Sequence, residues 1–227
     1  MAVPLIIVNF KTYMEATGMN AVKLAKACEA AAAMAKGNAR IAVAAQAADI
    51  FRVGTAIDTM RVGVFAQHID ANGQGKSTGF VTAEAAREAG AAGTLLNHAE
   101  HKITDLAKRI ATAKAANLAV VACAADVAEA KAIASIIPPP DYIAIEPPEL
   151  IGGKVSVSKA KPEIVSDSVA AVKGVNGGIK VLCGAGINSG EDVKKAIELG
   201  TEGILVSSAV VLAKDPEKAL MELILKI

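Results

Sequence analysis

Val3-Pro4-Leu5-Ile6-Ile7-Val8-Asn9-Phe10-Lys11 is the stretch whose reading decides the fold. Its apolar residues run on without alternating with polar ones. A strand reads this way when helices cover a parallel sheet and leave neither face to water. The run ends in an amide, an aromatic ring and a cation. An open dinucleotide-binding sheet would instead place a glycine fingerprint directly after its first strand.

Seven further runs of the same character follow, at 41–45, 62–66, 93–96, 118–123, 142–145, 179–183 and 203–206. Amphipathic, alanine-rich segments separate them, among them 21–35, 83–89, 106–116, 128–136, 163–173, 191–199 and 216–225. Asp105, Asp126, Ser189 and Asp215 are expected N-caps, because a short side-chain oxygen can accept from the unpaired N–H groups of a first turn. Pro216 suits the first position of the last helix, and Gly37, Gly90 and Gly200 suit helix ends that need left-handed backbone. Eight strand-helix units within 227 residues leave room for little else, so the sequence predicts one (β/α)8 barrel domain spanning 1–227.

Composition narrows the partners. Lys and Arg total 24 against 23 Asp and Glu, with no basic block interleaved with aromatics, which argues against a nucleic-acid surface. Cys28, Cys123 and Cys183 are too widely spaced for a zinc motif and odd in number for a disulfide framework. With no signal-peptide pattern and no apolar run long enough to span a bilayer, the chain reads as a cytoplasmic protein acting on small molecules, with no membrane partner.

In a closed barrel the segments that follow the strands gather on one face. Three of them carry chemistry: Asn9-Phe10-Lys11, Asn97-His98-Ala99-Glu100, and Glu146-Pro147-Pro148-Glu149-Leu150-Ile151-Gly152-Gly153. A cation, an imidazole and a carboxylate would meet around one mouth, the ingredients of proton transfer on an anionic substrate. Further along, Cys183-Gly184-Ala185-Gly186 and Leu205-Val206-Ser207-Ser208 end the seventh and eighth runs, where barrels place phosphate-binding turns.

Taken in order along the whole chain, with Ala66-Gln67 after the third run, these motifs resemble the triosephosphate isomerase family. The short chain and the form of the loop after Glu146 resemble its archaeal branch. The resemblance implies a TIM barrel that interconverts dihydroxyacetone phosphate and glyceraldehyde 3-phosphate through an enediolate, in glycolysis and gluconeogenesis, with no cofactor and no metal. It implies Glu146 as the base, its basicity raised by burial under an apolar lid of Pro148, Leu150 and Ile151. It implies His98 as a neutral hydrogen-bond donor, a property for which this family is itself the reference case. Asn97 is expected to cap a helix starting at His98. Lys11 would place fixed positive charge beside the substrate, with Asn9 positioning it and Glu100 pairing with it across the mouth. Gly186, Ser207 and Ser208 would hold the phosphate, joined by Ile151 or Gly152 when the loop folds over. The resemblance further implies a homo-oligomer, dimer or homotetramer, with 71–79 reaching a neighbouring subunit.

Two residues depart from the family pattern: Ala99 stands where serine is usual, and Gly153 where threonine is. His101 reads as an ordinary surface residue, and His68 as loop structure or a subunit contact. Other phosphosugar barrel enzymes would share the phosphate turns. A ribulose-phosphate epimerase needs metal-ligating His and Asp at strand ends, and a phosphoribosylanthranilate isomerase an Asp-Cys pair. A non-catalytic triose-phosphate sensor is the remaining alternative, against which the joint retention of Lys11, His98 and Glu146 argues.

Overall fold

A computed structural model describes residues 3–35, 37–147 and 157–227, the side chains of Val157 and Lys159 aside. Eight parallel strands close in sequence order: β1 (Leu5–Asn9), β2 (Arg40–Ala45), β3 (Val62–Ala66), β4 (Gly93–Leu96), β5 (Ala119–Ala124), β6 (Tyr142–Ile145), β7 (Lys180–Cys183) and β8 (Gly203–Val206). Val3 and Pro4 lie outside β1, where Val3 is exposed and Pro4 has no N–H to give a ladder.

Helices α1 (Met19–Met34), α2 (Ile50–Gly54), α3 (Ala83–Glu88), α4 (Leu106–Ala115) and α5 (Val127–Ala134) cover the first half of the barrel. The second half carries α6 (Val157–Ala160), α7 (Pro162–Val175), α8 (Gly190–Glu198), α9 (Ser208–Val211) and α10 (Pro216–Ile224). The short α2, α6 and α9 give too few turns to show a period in the sequence.

The expected caps hold at Asp126, Ser189 and Asp215, whose side chains accept from Glu129, Asp192 and Lys218 N–H groups. At Ser189 the cap is reciprocal: the Asp192 carboxylate accepts the Ser189 N–H at 2.9 Å. Asp105 is the exception. It caps nothing, because its carboxylate accepts from the Arg109 guanidinium at 2.6 Å, and an ion pair outcompetes a neutral N–H.

Side chains alternate between two buried environments. Leu5, Ile7, Phe65, Leu95, Tyr142, Ala144, Leu182 and Leu205 fill the barrel interior, while Ile6, Val8, Val43, Val64 and Val206 pack outward on the helices. That explains why the strands read as continuous apolar runs. The same period of two, carried to the strand ends, turns Asn9, Gln67, Glu146 and Ser207 toward the upper rim.

The seam between β1 and β8 closes the ring through the pairing Leu5↔Gly203. Gly203 sits at φ +148°, and a Cβ there would collide with the backbone carbonyl of Leu5. Gly203→Ala is therefore expected to destabilise the protein by more than about 3 kcal/mol in urea unfolding, the scale of a severe backbone clash. Gly73→Ala, which meets nothing within 4 Å, should stay within about 0.5 kcal/mol of the parent.

Candidate active site

Asn9 ends β1 and is 5% exposed. Its side-chain oxygen accepts the Lys11 backbone N–H at 3.0 Å, which helps hold Lys11 at φ +47°. A non-glycine residue there costs about 1–3 kcal/mol and persists only where its surroundings fix it. Gln67 provides the rest: its amide donates to the Lys11 carbonyl at 2.9 Å, to the Ala44 carbonyl at 3.0 Å and to Asn9 Oδ1 at 3.4 Å. Lys11 Nζ then meets Glu100 Oε1 at 2.5 Å.

The motif that contains Gln67 gives it no role by itself. The inward phase of β3, Phe65 then Gln67, is the signal that would have assigned it one.

His98 does not begin a helix. Residues 98–101 form a turn closed by the His101 N–H on the His98 carbonyl at 2.8 Å, and α4 starts only at Leu106. Asn97 is accordingly not an N-cap. It lies in left-handed backbone at φ +60°, and its amide reaches away to Cys123 and Glu129. The Glu100 N–H donates to His98 Nδ1 at 3.2 Å, so Nδ1 carries the lone pair and the imidazole proton belongs on Nε2.

His98 Nε2 lies 3.3 Å from Glu146 Oε1. Glu146 follows β6, is 2% exposed, and its Oε2 is buried without a hydrogen-bond partner among the described residues. Gly184 forms the wall behind it, close enough that a Cβ there would meet Glu146 Cγ at 2.5 Å. Cys123 lies on the same side, its thiol pushed well above the ordinary range by burial first and by the Glu146 charge next.

The cleft is completed by Gly186, at φ +67°, and by Ser207 and Ser208. Asn188 Nδ2 pins the Gly186 carbonyl at 2.7 Å. Val210 and Val211 N–H groups bond back to the Ser207 carbonyl, so the N–H groups of Ser208 and Ala209 precede the first bonds of α9. Among the described residues, Ser207 Oγ, like Glu146 Oε2, is buried with no partner, which leaves two polar atoms of the cleft lining open to a polar ligand.

Asn9, Lys11, His98, Glu146, Gly186, Ser207 and Ser208 thus line one cleft, together with Tyr13 and Asn188, which the sequence did not single out. Ile151, Gly152 and the proposed lid lie outside the described residues. His68 and His101 stack at 4.0 Å between centroids, and Arg109 joins His68 to Asp70. Burial, then the nearby His101, holds the His68 pKa below its ordinary value, so His68 belongs to a packed cluster beside the cleft.

A family model for triosephosphate isomerase matches residues 4–226. The chain belongs to the triosephosphate isomerase family. The triosephosphate isomerase of Methanothermus fervidus is 49% identical over 223 residues, covering 97% of each chain. That of Methanosarcina acetivorans is 46% identical over 226 residues, 99% of each. A solved triosephosphate isomerase from Bartonella henselae shares the fold at a TM-score of 0.71 and 19% identity, covering 96% of this chain and 98% of that one. The chain is an isomerase of this family, and its curated relatives are archaeal.

Gly184→Ala tests the wall behind the carboxylate. The added Cβ would meet Glu146 Cγ at 2.5 Å and the Ile145 carbonyl at 3.2 Å. Steady-state isomerase rates should fall by about 10²-fold, the cost of misplacing a reacting group by roughly an ångström, while thermal melting shifts little.

Proposed function

We propose that the protein interconverts dihydroxyacetone phosphate and D-glyceraldehyde 3-phosphate by moving one proton between adjacent carbons through an enediolate. Glu146 takes the proton from one carbon and returns it to the next. His98 donates its Nε2 hydrogen bond to the oxygen that becomes charged and remains a neutral imidazole in the resting state. The observation that carries this reading is the pairing of a buried carboxylate with the Nε2 face of an imidazole whose Nδ1 is already occupied. Such a pair sets a base and a hydrogen-bond donor on one side of a small substrate.

Lys11 places its ammonium where charge develops, and Asn9 holds the backbone that presents it. The phosphate rests on backbone N–H groups at Gly186 and at Ser207–Ser208, with Ile151 and Gly152 as further contributors. Glu100 acts at one remove, orienting Lys11 through its carboxylate and His98 through its N–H. The reaction serves glycolysis and gluconeogenesis in the cytoplasm. Among the described residues, no helix is long and apolar enough to cross a membrane. We read the working form as a homo-oligomer, a dimer or a tetramer. Met14 and Phe80, 79% and 52% exposed on segments that follow β1 and β3, support a covered face there.

A coupled assay started with glyceraldehyde 3-phosphate tests the activity, and no turnover above buffer would refute it. Glu146→Asp should lower kcat sharply while KM for the phosphorylated substrate changes little, because only the base is withdrawn. His98→Gln should cost about 10²- to 10⁴-fold in kcat, the range of acid-base contributions; a loss under about twofold would move the donor elsewhere.

A further inference from the structure

Asn97 carries more than its place in the chain explains. It is 4% exposed, and its side chain makes three hydrogen bonds. Nδ2 donates to the Cys123 carbonyl at 2.9 Å and to Glu129 Oε1 at 2.8 Å, while Oδ1 accepts the Ile103 N–H at 3.3 Å. One amide therefore ties the turn that bears His98 to the end of β5 and to the first turn of α5.

The far side of this brace is itself fixed. Glu129 accepts the Ala125 N–H at 2.6 Å and holds Lys102 Nζ at 2.9 and 3.0 Å. Burial pushes the Glu129 carboxyl upward, but the Ala125 N–H, Lys102 and Asn97 outweigh it and leave it below the usual carboxylate range. On the near side, Cys123 stands against Glu146, and His98 follows Asn97 directly. The supports of the two groups in the proposed proton transfer meet at this side chain.

The backbone explains why the residue is asparagine. At φ +60° the position suits glycine, asparagine or aspartate. Glycine would keep the conformation and lose the brace. Aspartate would turn a second carboxylate toward Glu129. Asparagine alone combines left-handed backbone with two N–H donors for two acceptors.

We propose that Asn97 is a positioning residue that fixes the His98 ring against Glu146 by bracing its turn on Cys123 and Glu129. This rests on the isomerase reaction proposed above. Asn97 touches no substrate; it acts through His98.

Asn97→Gly separates the two roles, since it keeps the conformation and removes the brace. We expect kcat to fall by about 10- to 100-fold, the usual cost of an unsupported catalytic geometry, with KM within about twofold of the parent. Nitrogen NMR of the imidazole should show His98 held as the Nε2–H tautomer in the parent and exchanging between tautomers in the variant. In a His98→Gln background the same change should cost less than about threefold, because the residue it acts through is gone.

An unchanged kcat for Asn97→Gly, or a full penalty retained in the His98→Gln background, overturns the proposal. If circular dichroism shows that Asn97→Gly does not fold, Glu129→Gln decides. It weakens the acceptor and leaves the His98 backbone untouched, with an expected kcat loss of about three- to tenfold that also vanishes with His98→Gln. An unchanged kcat there overturns the proposal equally. A parent protein inactive on triose phosphates would instead refute the reaction itself, before any variant is made.

Discussion

Closure of eight parallel strands imposes a period of two on everything inside the ring. Once Leu5 pairs with Gly203 and the seam between β1 and β8 is shut, every second side chain points to the barrel axis. Apolar side chains fill that axis below. The next inward positions, at the strand ends or one step beyond, include Asn9, Gln67, Glu146, Gly184 and Ser207. The polar floor of the cleft is thus an extension of the core's own alternation. Lys11 and His98 reach the same cleft through left-handed backbone at Lys11 and Asn97, and a one-residue slip in any strand would exchange the inward positions for outward-facing neighbours.

Polar groups buried at that rim are costly unless paired, and the pairing is nearly complete. Gln67 spends its amide on the carbonyls of Lys11 and Ala44, and Asn97 spends its own on the Cys123 carbonyl and the Glu129 carboxylate of α5. Lys11 and Asn97 both occupy left-handed backbone without being glycine, and both are held there by several bonds. Among the described residues, Glu146 Oε2 and Ser207 Oγ are buried atoms without partners, and both residues line the same cleft. The rigid frame and the unsatisfied atoms belong together: strain and unmet polarity are tolerable where surrounding bonds over-determine the geometry.

Much of this was readable residue by residue. The strands at 62–66, 93–96, 142–145 and 203–206 carry the expected bounds, because continuous apolar runs bounded by polar residues have no other stable reading in a covered parallel sheet. The caps at Asp126, Ser189 and Asp215 were readable for a local reason, since a cap involves only its own helix. Asp105 and Asn97 depart from the local pattern for the opposite reason. Each has a partner that sequence proximity did not reveal as the stronger one: Arg109 for Asp105, Cys123 and Glu129 for Asn97. A short polar side chain before a helical pattern looks like a cap until a competing donor or acceptor is placed beside it.

The sequence by itself determined the number and order of strand-helix units and the residue types available at their ends, because those follow from local periodicity and from family motifs spread over the whole chain. It did not determine how those ends face one another. That His98 presents Nε2 to Glu146 depends on the Glu100 N–H, on a turn in place of a helix, and on strand register across the barrel. That Gly184 must lack a side chain depends on a carboxylate 38 positions earlier in the chain. Contacts of this kind are set by closure, since only a closed ring brings residues from distant strands within an ångström or two of their required separation.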